Sequence, residues 1–240
     1  MSDLFNSLSS SFKEICLKND ILNEKITIKA RALEVDEAIG SPDGKDFPIQ
    51  KGKEKLMQAE FRNGKGQAFT DMFYDYEGTI IDIISMEKNN NYKRAVFVSS
   101  LNAVLHDLGF INGSIHCKDN SPYTCASRLC KHIKEKFGSP KVCLIGFQPA
   151  FIEKLADNFD LRVIDLDPDN IGKEKKGVFI EDESATEDAV NWSDALLVTG
   201  TTLVNNTIKS FPKEKAIFYG TTIAGAAYLM GFERFCTESS

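Results

Sequence analysis

Leu4, Leu8, Phe12, Ile15 and Cys16 recur at near-helical spacing, which predicts an amphipathic helix over residues 4–17 that Asn19-Asp20 ends. Residues 26–31 alternate apolar and polar as a half-buried strand does. Residues 40–52 are rich in Gly, Pro and charge and read as a long loop. Two runs, 55–61 and 66–73, flank Asn63-Gly64 and read as a hairpin, and the apolar run 79–86 reads as a further strand. Residues 94–108 set Phe97, Leu101, Val104, Leu105 and Leu108 on one helical face, with Gly109 as the stop. Ser121 followed by Pro122 marks an N-cap and a first helical position, and that helix runs to Phe137 with Gly138 behind it.

The pattern changes after Lys141. Short apolar runs at 142–145, 161–166, 195–199 and 215–219 alternate with helix-like segments at 150–158, 203–211 and 223–230. Strands that alternate with helices predict a parallel sheet with right-handed crossovers. The expected class is therefore α/β, with a smaller α+β part in front. The change falls near residues 110–120, and the expected division is 1–112 and 113–240.

Two of the apolar runs end in the same three residues, Gly200-Thr201-Thr202 and Gly220-Thr221-Thr222. A strand, a tight turn and a helix start would direct N–H groups and hydroxyls at one spot, which suits an anionic or multiply hydroxylated group. In an open parallel sheet, ligands bind at the carboxyl ends of the strands. Thr is also an ordinary helix cap, and two caps alone would look the same. Asn205 and Asn206 follow and could add amide contacts. Gly146-Phe147-Gln148-Pro149-Ala150 stands where a dinucleotide fold would carry its glycine fingerprint, but the second and third glycines are missing. Gly146 and Gln148 stay on the candidate wall. Asp165, at the end of the next run, either accepts from a ribose-like hydroxyl or, with Asp167, caps the turn before Pro168.

Composition narrows the partners. With 240 residues, 42% of them hydrophobic, the chain can bury a real core, and its net charge of −6 argues against nucleic acid and anionic membrane surfaces. No run approaches the length of a membrane span, and residues 1–16 lack the basic-then-apolar pattern of a secretory signal. Six cysteines then point to a reducing compartment, so a cytoplasmic protein is expected, with a homo-oligomer left open. His116, Cys117, Cys125, Cys130 and His132 form the chemically richest stretch, because thiolate and imidazole select soft metals. The spacing matches no standard zinc motif. Cys130 shares an apolar helix face with Ala126, Leu129 and Ile133 and reads as core, as do Cys16 and Cys143. His132 stands between lysines and reads as solvated, and Glu181-Asp182-Glu183 reads as a solvated acidic loop. This leaves His116, Cys117 and Cys125, with Cys236 as a distant partner. There is no G-x-S-x-G elbow and no H-E-x-x-H, so a hydrolase is hard to build.

Ile145-Gly146-Phe147-Gln148-Pro149-Ala150, Ile164-Asp165-Leu166-Asp167-Pro168-Asp169-Asn170, Thr199-Gly200-Thr201-Thr202 and Tyr219-Gly220-Thr221-Thr222 together resemble the putative heavy-metal chelation domain family. Ser100-Leu101-Asn102-Ala103 and Gly66-Gln67-Ala68-Phe69-Thr70-Asp71 resemble its N-terminal partner domain, which is enolase-N-terminal-like in fold. The resemblance implies a Rossmann-like second domain, a metal-binding role and members largely in anaerobic bacteria and archaea. By the same resemblance His116, Cys117, Cys125 and Cys236 fall on Cys/His positions of the family. The expected function is binding of a soft divalent metal, a metal cofactor or an iron–sulfur species, with a crevice for a small anion or metabolite. Two alternatives stand beside it: an enzyme binding a nucleotide or S-adenosylmethionine-like ligand at Asp165, and a non-catalytic interaction module. No catalytic residue is assigned.

Overall fold

The structure is a computed structural model that describes residues 3–22, 28–44 and 46–240. Helix α1 (Asp3–Lys18) buries Leu8, Phe12 and Cys16 of the expected stripe together with Phe5, while Leu4 and Ile15 are half-buried at its edge. Strand β1 (Ile28–Ala32) is the described part of the run expected at 26–31; Ile26 and Thr27 lie outside the described residues. A short helix α2 (Val35–Ile39) follows; its acidic Glu37 accepts from the Glu34 amide at 3.1 Å, a cap the sequence reading passed over.

Strands β2 (Lys55–Phe61) and β3 (Gly64–Thr70) form the expected hairpin with Phe61 opposite Gly64. The two turn residues are therefore Arg62 and Asn63, and it is Arg62 that takes the positive φ, at 52°. Gly64 belongs to the strand for another reason: a Cβ there would lie 2.2 Å from the Ala103 carbonyl oxygen. After β4 (Tyr76–Gly78), the run expected as a strand over 79–86 is instead helix α3 (Ile80–Ser85). Thr79 and Asp82 close a reciprocal cap, with Thr79 N–H donating to Asp82 Oδ2 at 2.8 Å and Asp82 N–H to Thr79 Oγ1 at 3.3 Å. Ile80 and Ile83, three apart, then share the buried side. The four strands form an antiparallel sheet in the order β3-β2-β1-β4.

Helix α4 (Asn91–Asp107) crosses β2 and β3, and every residue from Ala95 to Leu105 is buried. One apolar face was expected; the helix is covered on all sides because α9, described below, lies on its far side. Helix α5 (Ser121–Phe137) has Asn120, not Ser121, at its N-cap, and Gly138 ends it as expected.

The second sheet contains β5 (Val142–Ile145), β6 (Leu161–Ile164), β7 (Glu174–Lys175), β8 (Val178–Glu181), β9 (Ala195–Thr199), β10 (Ala216–Tyr219) and β11 (Arg234–Phe235). Its helices are α6 (Pro149–Ala156), α7 (Thr186–Trp192), α8 (Thr201–Val204) and α9 (Ala224–Met230). The order is β11-β10-β9-β5-β6-β8-β7, all neighbours parallel except β7 against β8. From β5 the chain builds outward through β6 and β8, then returns to build the other side through β9, β10 and β11. That is the Rossmann-like order, with its reversal between β5 and β9. Alternate strand residues serve two cores. Val142, Leu144, Leu197 and Ile217 pack with α5 and α6. Cys143, Ile145, Leu196, Val198 and Phe218 join the core that holds α1 and α4, so one apolar mass links the two sheets. The helix expected over 203–211 is broken: α8 is a single turn, and a 3₁₀ turn at Ile208–Ser210 follows. Glu181 is no solvated loop residue, since both of its oxygens accept from Arg162, at 2.8 and 2.6 Å.

Candidate functional site

The carboxyl ends of β5, β6, β9 and β10 open into one cleft of about 730 Å³. Its roof comes from the first half of the chain: Phe47 and Ile49 at the 3₁₀ turn Pro48–Lys51, Lys53 and Glu54 before β2, and Phe69 and Asp71 at the end of β3. At one end His116, Cys117, Cys125 and Cys236 are on the wall.

Most candidate residues named from the sequence line this cleft: Gly146, Gln148, Asp165, Gly200, Thr201, Thr202, Asn205, Gly220 and Thr222. Thr199 and Tyr219 pair across β9 and β10, so the two Gly-Thr-Thr turns stand side by side at the same edge. Gly220 needs its glycine, with φ of 93° as the chain leaves β10.

Thr221 is the exception. It is buried away from the cleft, its hydroxyl has no hydrogen-bond partner, and its carbonyl accepts from Asn102 Nδ2 at 3.2 Å. Helix α8 starts at Thr201, inside the first triplet, whereas α9 starts only at Ala224, after Thr221, Thr222 and Ile223, so the two triplets do not present the same atoms. The first triplet starts a single helical turn, too short to build the dipole that an anion would need. Hydroxyls are also largely occupied: Thr202 Oγ1 donates to the Thr199 carbonyl at 2.7 Å, and Thr222 Oγ1 accepts from Phe69 N–H at 3.0 Å. Thr199 and Thr201 pair with each other at 3.2 Å along the cleft wall.

Asp165 holds the floor together. One oxygen accepts from Phe147 N–H at 2.6 Å, the other from Asp167 N–H at 2.7 Å, so it ties the loop after β5 to the loop after β6. Burial raises its carboxyl above the usual range against those bonds. Asp165 therefore caps the turn, as the second reading has it, and it also lines the cleft. Tyr219 similarly donates its phenol to the Ile145 carbonyl at 3.0 Å.

Two residues that the sequence reading left unassigned position the soft end. Gln67, buried on β3, accepts from His116 N–H at 2.7 Å and donates to Gln58 Oε1 at 2.8 Å. Arg234 donates to the carbonyls of Gly220, at 2.9 Å, and Gly113, at 2.5 Å. It thereby fastens β11 and Cys236 beside the segment that carries His116 and Cys117, and a backbone pair between Ile115 and Ser240 closes the same seam. Asn102 does comparable work from α4, donating to Gln67 and the second turn and accepting from Gly225 N–H at 2.8 Å. In the sequence Asn102 stood only within the Ser100-Leu101-Asn102-Ala103 run that carries the resemblance, with no role attached.

His116 has the least satisfied ring in the cleft. Its Nδ1 is buried without a partner, and burial pushes the imidazole down to about 4, so it is neutral near pH 7. Phe69 meets the ring edge-on at 5.2 Å. Burial pushes the Cys117 thiol up to about 12, with Cys236 and Cys125 adding to the rise, and burial raises Cys125 too. The three sulfurs are therefore close enough to feel one another's charge. In this conformation no group of three His, Cys, Asp or Glu side chains among the described residues is gathered tightly enough to hold a metal ion. Cys16, Cys130 and Cys143 are buried in the cores, and His132 is half-exposed, with Glu233 at 3.2 Å and the Phe235 ring at 5.1 Å.

Residues 129–214 match a family model described as putative heavy-metal chelation. The matched segment carries Gly146, Gln148, Asp165, Gly200, Thr201, Thr202 and Asn205; His116, Cys117, Cys125 and Cys236 lie outside it. The fold resembles a crystal structure of a protein of unknown function of that family from Pyrococcus horikoshii, with a TM-score of 0.53 and 12% identity over 91% of this chain and 79% of that one. A second structure of the family, from Desulfitobacterium hafniense and also of unknown function, aligns with a TM-score of 0.48 and 14% identity over 73% of this chain and 72% of that one. No curated protein matches the chain significantly.

Proposed function

We propose that this chain, whose residues 129–214 match the putative heavy-metal chelation family, binds a soft metal ion, alone or as part of a small metabolite, in the cleft at the carboxyl edge of its parallel sheet. The observation that carries the reading is the unpartnered, buried Nδ1 of His116 on a wall shared with three thiols. A neutral imidazole needs no proton removed before it ligates, and three sulfurs with one nitrogen are a donor set for zinc or another soft divalent ion. The thiols sit high, so binding would release protons and would tighten with rising pH. Ligation would require these side chains to move together, because no three of them are gathered about one point. The cleft lining counts Glu54, Asp71, Asp165, Asp167 and Glu183 against Lys53, which weighs against the anionic group expected from the paired turns and for a cation.

Metal content of protein purified without oxygen tests the proposal. Close to one equivalent of a soft metal is expected, with loss of most of it in Cys117→Ser/Cys236→Ser. Protein that carries none, and takes up none from added Zn²⁺ or Cd²⁺, would overturn it.

A further inference from the structure

The cleft also holds a group that the thiols do not explain. Glu54 stands between the 3₁₀ turn Pro48–Lys51 and β2, and its side chain lines the cleft. Among the described residues no donor or cation pairs with it. The adjacent Lys53 is taken by Asp167 and Asp169, each at 2.5 Å. The other acids are supplied: Asp71 accepts from Asn91 Nδ2 at 2.7 Å, and Asp165 accepts from two backbone amides. Glu54 is half-buried on the cleft wall and faces the like charges of Asp165, Asp71 and Asp167, so a cation in the cleft would relieve that repulsion.

A hard metal ion is one way to satisfy it, yet no three acids among the described residues gather about a point. Spread negative charge suits a larger cation. Phe47, Phe69, Phe147 and Tyr219 line the same cleft, and aromatic faces attract cations while accepting an apolar body.

We propose that Glu54, backed by Asp71 and Asp165, recognises the protonated amine of an organic ligand whose apolar or aromatic body fills the cleft between the two sheets. The inference rests on the reading of this cleft as a ligand site, and it adds a substrate class to it. Burial holds the Glu54 carboxyl up to about 7, so it gains charge over the range in which an alkylamine stays protonated. The groups facing it are Asp71 after β3, Asp165 and Asp167 after β6, and the Tyr219 phenol on β10, with Lys53 beside it already paired.

Calorimetric titration of the intact chain with phenethylammonium and with its uncharged counterpart 2-phenylethanol, at pH 6 and pH 8, tests it. The ammonium should bind at least about tenfold more tightly than the alcohol at pH 8, with a smaller advantage at pH 6. Glu54→Gln should remove the advantage and leave the alcohol unchanged, whereas Cys117→Ser/Cys236→Ser should keep it. The pH arm on the unaltered protein decides the matter if the Gln variant does not fold. Equal binding of the two probes at pH 8, a preference that survives Glu54→Gln, or no binding of either would overturn the inference. In each case a metal retained at the thiol end would leave the proposed function standing.

Discussion

Glu54 shows at the scale of one side chain how the cleft is held under strain of charge. Its carboxyl lies at about 7 in the folded chain against 4.5 in an unfolded one, so the native state holds its proton to higher pH. The stability this confers is complete below pH 4.5 and is lost as pH rises through 7. Glu54→Gln should therefore leave stability nearly unchanged near pH 4.5 and raise it at pH 8 by about 1–3 kcal/mol, the lower figure allowing for its open side toward the cleft. Urea denaturation at the two pH values measures this, and a variant less stable than the parent at pH 8 would contradict it. The sequence offers no hint of Glu54, because a lone acid between Lys53 and Lys55 reads as surface. His116 and the cysteines were visible by type alone. Asp165 was visible as a strand-end acid, but its two amide bonds required the loop after β5 to fold over it.

At the scale of elements, local chemistry decided what hydrophobic pattern could not. The run 79–86 is apolar enough for a strand, yet the reciprocal Thr79 and Asp82 bonds start a helix there. The hairpin, α1, α5 and the four central strands β5, β6, β9 and β10 were legible because each keeps one period over its length, whereas β7 and β11, of two residues each, are too short to carry a period, and β8 was passed over. Helix α4 was legible as a helix but not as the centre of the molecule. Its polar Asn102 joins β3 to the second Gly-Thr-Thr turn, and that link spans parts of the chain far apart in sequence. Asn102→Leu would strand the Gly225 amide and remove the donor from buried carbonyls, and should cost about 2–4 kcal/mol. Chemical denaturation checks this value; a loss under about 0.5 kcal/mol would mean the clamp is idle.

At the scale of the molecule, the core that runs through α1, α4 and α9 binds the antiparallel sheet to the parallel one, and the cleft is the gap that remains between them. Cys236 follows β11, the strand next to β10, and His116 lies on the segment between α4 and α5, and only the assembled sheet edge brings them to one wall. A sequence can supply donors of the right type, but their meeting depends on Arg234 and Gln67 holding two distant segments. Metal binding at the soft end of the cleft stands on that meeting. Titration of the reduced, oxygen-free protein with Co²⁺, followed by its thiolate charge-transfer absorption, tests it most directly. The account predicts a band that saturates near one equivalent, strengthens as pH rises, and falls stepwise in Cys117→Ser and Cys236→Ser. A band absent from the parent protein, or unchanged in both variants, would contradict it.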